Sequence, residues 1–236
     1  DEIFPAMLDA IRSAERTVDL TTYVYWSGDI AREFADALAE TAARGVRVRV
    51  LIDAVGGFKI EDGLVDRMTR GGVHLQWFRK PWAKSPFKQN HRCHRKVLVV
   101  DEAVAFTGGV GIAEEWTGNA RNADEWRDTH VRVRGPAVDG VAAGFSQNWA
   151  EGDEPMYDDA DQFPEHEQCG AATIQVVRGS ASIGWDDMQT LFHVVLSSAQ
   201  ERIRLTTAYF APSQDFIDLL IGQAKNGVEL QVMLPG

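Results

Sequence analysis

At 236 residues, 44% of them hydrophobic, the chain is long enough for one large domain or two modest ones with a packed core. No apolar run approaches the ~18 residues of a membrane span, and two cysteines, Cys93 and Cys169, are too few for a disulfide framework and favour a reducing compartment. A net charge of −11 excludes a protein that coats nucleic acid by bulk electrostatics, so no nucleic-acid partner is expected.

The first element is helical, with Phe4, Met7, Leu8 and Ile11 at helical spacing. TVDLTTYVYW then alternates as a strand, IAREFADALAETAARG is an amphipathic helix ending at Gly45, and VRVRVLID is a second strand. This strand-helix-strand unit predicts parallel pairing. GLVDRMTRGG reads as a shorter helix and VHLQWF as a third strand. KVLVVD and VAFTGG, separated by only Glu102 and Ala103, predict a tight hairpin. GIAEEW predicts the start of another helix, DTHVRVRG a strand and AVDGVAAGFSQNWAE a closing helix.

Charge is unevenly spread. Seven cations and no acid lie between Trp77 and Lys96, interleaved with Trp77, Phe78, Trp82 and Phe87, a pattern that suits an anion-attracting rim at a lipid interface. Eight acids and no Lys or Arg lie between Glu151 and Glu167, which predicts a linker or long loop. After it the chain repeats itself. Leu205-Thr206-Thr207 matches Leu20-Thr21-Thr22, and Gly227-Val228 matches Gly45-Val46 after a three-residue deletion. The predicted organisation is therefore a complete lobe over 1–150, an acidic linker over 151–170 and the start of a second, homologous lobe over 171–236. Such a unit without its remaining strands exposes an apolar face and a sheet edge.

Candidate chemistry concentrates in NHRCHRKVLVVD. His94 and Lys96 sit two apart at the mouth of an apolar run, so a strand extended back through them sends both side chains to one face. A neutral imidazole can attack phosphorus, and an ammonium beside it neutralises charge gained on the phosphoryl oxygens. HRCH has no second Cys/His pair at ligand spacing, so it is not expected to hold zinc; separately, no cofactor is expected. GFSQN lacks the second glycine of a serine-hydrolase elbow.

His94, Lys96 and Asp101 form H-x-K-x4-D, followed by the glycine pair Gly108-Gly109 in AFTGGVGIAEEW. With the duplicated lobe, the chain resembles the phospholipase D superfamily, in particular its cardiolipin synthase-like branch. LTTYVYWSG, GVRVRVLID and WRDTHVRVRGPAV strengthen the likeness. The resemblance implies an α/β sandwich with a central mixed sheet flanked by helices. It also implies phosphatidyl transfer through a phosphohistidine on His94, or hydrolysis by the same intermediate, or a scaffold that only binds anionic surfaces. Lys96 would stabilise the phosphoryl charge, and Asp128 would accept from His94 and fix its tautomer. Asp101, at the far end of the strand, is expected to be structural, capping the turn that follows. Arg92, Arg95 and backbone N–H groups at Gly108 and Gly109 are expected to hold phosphate; many members carry Asn where this chain has Gly111. Implied partners are anionic phospholipids at a membrane surface approached from the cytoplasm, and a second lobe or homodimer partner supplying the other histidine.

Overall fold

The computed structural model describes residues 2–80, 92–152, 163–179 and 185–234, with the side chains of 185 and 186 left out. Trp82, Phe87 and most of the acidic stretch lie outside the described residues. The chain divides into two compact units, 1–178 and 179–236.

The first unit runs α1 (Ile3–Arg12), β1 (Thr17–Thr22), α2 (Asp29–Ala43), β2 (Arg47–Asp53), α3 (Asp62–Arg70), β3 (His74–Phe78), β4 (Val97–Val100), β5 (Val104–Gly108), β6 (His130–Arg134) and α4 (Ala137–Trp149). Six strands form one mixed sheet in the order β3-β2-β1-β4-β5-β6. β1, β2 and β3 are mutually parallel, as the strand-helix-strand pattern requires, and β4, β5 and β6 follow antiparallel. Phe4, Met7, Leu8, Phe34, Leu38 and Met68 cover one face through Leu20, Leu98 and Phe106. Val141, Phe145 and Trp149 of α4 cover the other through Leu51, Val97, Val99 and Ala105. The result is a central mixed sheet with helices on both faces.

The β4–β5 hairpin turns on Asp101 and Glu102, at φ 53° and 54°, closed by Ala103 N–H donating to Val100 O at 3.0 Å. Two left-handed residues at the tip match the right-handed twist of the flanking strands. The Asp101 carboxylate accepts from the backbone N–H groups of Glu15, Arg16 and Thr17 at 3.0, 2.7 and 2.8 Å. It thus ties the turn entering β1 rather than its own. The helix expected from GIAEEW is only a 3-10 turn over Glu114–Trp116, and the Glu114 carboxylate accepts from Ile30 N–H at 2.8 Å in the first turn of α2. Residues 163–178 run along the first unit, where His166 Nε2 lies 2.7 Å from Asp139 Oδ1 and Val176 packs on the α4 cluster.

The second unit comprises α5 (Trp185–Ser197), β7 (Arg202–Thr206), α6 (Gln214–Lys225) and β8 (Glu229–Met233). β7 and β8 pair in parallel as a two-stranded sheet. Register partners are thirty residues apart in β1/β2 and twenty-seven in β7/β8, which is the three-residue deletion read from the repeat.

Candidate active site

The sheet gathers one edge from six segments: the carboxyl ends of β1, β2, β3 and β5, and the residues leading into β4 and β6. Open α/β sheets bind ligands outside the carboxyl ends of their parallel strands. His94 and Lys96 stand at this edge. The strand does not extend back through them as expected; β4 starts at Val97 and residues 92–96 are irregular. The cause is Asp53, which ends β2 fully buried. Its carboxylate accepts from Val55 and Gly56 N–H, from Cys93 N–H at 2.9 Å, and from the Arg92 fork at 2.8–3.1 Å. A backbone N–H drawn to Asp53 cannot serve the β ladder.

Lys96 is 7% exposed, and its Nζ donates to His94 Nδ1 at 3.1 Å and His94 O at 3.0 Å. An ammonium has donors only, so Nδ1 accepts and the ring proton sits on Nε2. Tyr23 lies against the imidazole, centroids 4.6 Å apart, and Lys96 Nζ is 5.7 Å from the Tyr23 centroid. Burial first, then the Lys96 charge, pushes the His94 pKa down, while Asp53 opposes both. His94 is therefore neutral at neutral pH, the form that carries a nucleophilic lone pair. Burial also pushes the Lys96 pKa down, and Asp128 opposes it.

Asp128 is not where it was expected. It makes no hydrogen bond to His94; its carboxylate takes Thr129 N–H at 2.7 Å and influences Lys96 and His130 by charge. The glycine pair explains how β6 comes so close. A Cβ on Gly109 would fall 2.0 Å from Asp128 Oδ2, and one on Gly108 would fall 2.3 Å from Thr129 O. Gly109 N–H is spent on Thr129 O at 3.1 Å, so the pair serves close packing and that N–H is not a phosphate donor. At Gly111 a Cβ would lie 2.8 Å from Val24 Cβ, which leaves no room for the asparagine that the family resemblance associates with this position.

Two more expectations are corrected. Arg92 does not face substrate: besides Asp53, its guanidinium serves Phe78 O and Arg79 O, both at 3.0 Å. Arg95 points to the opposite face of the sheet from Lys96, where it donates to Gly144 O, Asn148 Oδ1 and Gln147 Oε1 of α4 and to Arg178 O. Both guanidinia are struts that hold the segment carrying His94. Sequence reasoning missed Asp53 and Tyr23; the available signal was their place at the carboxyl ends of adjacent parallel strands.

His130 lies across Gly108 from the Lys96 position, and both its ring nitrogens are buried with no hydrogen-bond partner among the described residues. Burial pushes its pKa down to about 4, with Asp128 opposing and Lys96 reinforcing the shift. Among the described residues no group of three or more His, Cys, Asp or Glu is placed to hold a metal ion, and no helix is long and apolar enough to cross a membrane.

Residues 7–140 match the family model described as "Cardiolipin synthase, PLD-like domain". The chain belongs to this family of phospholipase D-like domains. Among curated relatives, Cardiolipin synthase 2 of Bacillus anthracis is 30% identical over 242 residues, covering 100% of this chain and 46% of the relative. Cardiolipin synthase of Geobacillus kaustophilus is 30% identical over 240 residues, covering 100% and 47%. The chain thus spans about half the length of the curated relatives it matches. Among solved structures, phosphatidylserine synthase of Haemophilus influenzae superposes with a TM-score of 0.67 at 11% identity, over 99% of this chain and 59% of that one. Polyphosphate kinase of Porphyromonas gingivalis superposes at 0.61 and 17% identity, over 100% and 36%. At those identities the likeness establishes the phospholipase D-like fold alone.

Proposed function

We propose that the chain carries half of the active site of a phosphatidyl transferase of the cardiolipin synthase type, with His94 as nucleophile and Lys96 as its electrostatic partner. The observation that carries this reading is the His94 imidazole 3.1 Å from the buried Lys96 ammonium at the edge formed by the carboxyl ends of the parallel strands, where burial and that charge favour the neutral ring. A phosphodiester oxygen draws Lys96 Nζ away from His94 Nδ1. Solvent takes the Nε2 proton and supplies one to the freed Nδ1, and the Nε2 lone pair attacks phosphorus. The N–P bond forms as the P–O bond to the leaving alcohol breaks, and the alkoxide takes a proton from an acid. In the second half, a hydroxyl of another lipid gives up its proton and forms a new P–O bond while the N–P bond breaks. Asp128, close enough to act on Lys96 by charge, balances the ammonium when the phosphate leaves. We assign the acid and base to a second histidine in a homologous lobe or a partner copy, as the family resemblance implies. Residues 179–236, with their repeated parallel strand pair, are read as the beginning of that lobe. Anionic phospholipids, phosphatidylglycerol first, are the proposed substrates, met at a membrane surface.

The test uses the full-length protein containing this chain, with phosphatidylglycerol vesicles. Transfer should yield cardiolipin and free glycerol, and His94→Ala should lower turnover by at least ~10³-fold with unchanged circular dichroism. Phosphatidic acid as the sole product would make the enzyme a hydrolase, and activity within about tenfold of wild type in the variant would remove the nucleophile.

A further inference from the structure

A cavity of about 390 Å³ opens beside the proposed site, walled by Trp116, Trp126, Asn119, Arg127, Asp128 and Glu2. Its volume sits at the small end of ligand pockets, which run from roughly 300 to 1,000 Å³. Two indoles in edge-to-face contact, centroids 4.7 Å apart, form the apolar wall, and Trp26 extends the cluster at 6.3 Å from Trp116. The other walls bring an amide, a guanidinium and two carboxylates. Neither the Asn119 amide nor the Arg127 guanidinium has a partner among the described residues.

The wall is built in advance. The Glu125 carboxylate accepts from Asn119 N–H at 3.0 Å, Arg121 N–H at 3.2 Å and the Arg121 fork at 2.8–2.9 Å, and Trp126 N–H donates to Glu115 O at 2.6 Å. Gly118 allows this, since a Cβ there would fall 2.4 Å from the Glu125 carboxyl carbon. Pre-ordering the loop removes an entropic penalty from binding. The combination has a chemical meaning. Indole faces take the C–H side of a polyol, carboxylates and an amide take its hydroxyls, and a guanidinium takes a phosphate.

Resting on the transferase reading above, we propose that this cavity seats the acceptor: a glycerol headgroup, with its hydroxyls on Asp128, Glu2 and Asn119 and its phosphate on Arg127. Asp128 joins the two subsites, because it lines the cavity and also acts on Lys96 by charge. A filled cavity directs the phosphatidyl group to a lipid hydroxyl; an empty one leaves it to water.

The experiment measures product partition in the full-length protein, wild type against Asn119→Ala and Arg127→Ala. These substitutions sit on exposed side chains and spare the core, and near-UV circular dichroism checks the Trp cluster. Donor is labelled phosphatidylglycerol; acceptors are phosphatidylglycerol in vesicles or free labelled glycerol exchanged into lipid. Each variant should raise the half-saturating acceptor concentration about tenfold, the size of one lost hydrogen bond or ion contact. Phosphatidic acid should grow at the expense of transfer, so the transfer-to-hydrolysis ratio falls in each variant. Loss in both arms supports a seat for the polyol itself, and loss in the vesicle arm alone supports a seat for the lipid-borne headgroup. A transfer-to-hydrolysis ratio unchanged in both arms overturns the cavity assignment alone. A wild-type protein that cleaves lipid without any transfer overturns the transferase reading instead.

Discussion

β1/β2 and β7/β8 are the same strand-helix-strand motif read twice, yet they have opposite surroundings. In β1 and β2 every residue after the first is buried on both faces; in β7 only Ile203 is buried, and no residue of β8 is. Corresponding cross-strand positions show what this does to polar pairs. Asp19 and Arg49 form a buried fork at 2.5–2.6 Å, with the guanidinium 5.0 Å from the Phe145 ring and 5.6 Å from Trp149. Their counterparts Arg204 and Gln231 meet at 3.1 Å in the open. Burial pushes the Asp19 pKa up and the Arg49 fork opposes it, a conflict that exists only where α4 has closed off water. Burial is conferred by the neighbouring strands and helix, while the local motif supplies only the capacity to be buried.

That contrast can be broken from its strongest point downward. Arg49→Ala leaves the Asp19 carboxyl buried without its partner, and should destabilise the first unit by about 3–5 kcal/mol in denaturant unfolding. A loss below ~1 kcal/mol would mean that water already reaches the pair. His130 gives an intermediate effect through pH. Its folded pKa, about 4, lies below its ordinary 6.5, so the neutral form is the one folding favours. Its contribution is fully present above pH 6.5 and is lost as pH falls toward 4, because the unfolded chain binds the proton first. The half-buried position reduces this to on the order of 1–2 kcal/mol. His130→Gln should flatten the acid limb of the stability profile between those pH values, and an unchanged limb would remove His130 as its source. The smallest effect is expected at the exposed counterpart: Arg204→Ala should shift stability by less than about 0.5 kcal/mol.

The fold was legible because its signals are local. Helical spacing in α1 and α2, the apolar run of β4 and the two-residue hairpin tip are each readable within about ten residues. His94 and Lys96 were named from their spacing, but the strand expected to bring them together begins only at Val97, and they meet instead through the contact of Lys96 Nζ with His94 Nδ1. Strand alternation also carried information about Arg95: it shares parity with Val97, and Val97 packs on α4. Arg92 was not legible, since its partner Asp53 is thirty-nine residues away and nothing between them announces the pairing. The Trp116–Trp126 wall was hidden by the helix expected from GIAEEW; a 3-10 turn, not a helix, brings the indoles together.

Asp53 links the chemistry to the order in which the chain can acquire structure. One carboxylate anchors the loop after β2 and, forty residues later, the backbone N–H of Cys93, the residue before His94. Closing a loop of that length is entropically unfavourable, and the bonds to Asp53 form only after it has closed. His94 therefore gains its orientation only once β2 and the segment entering β4 have met. Any opening that parts them scatters the nucleophile before the sheet itself comes undone, so the site is a long-range property of the folded chain and among the first things a partly open molecule gives up.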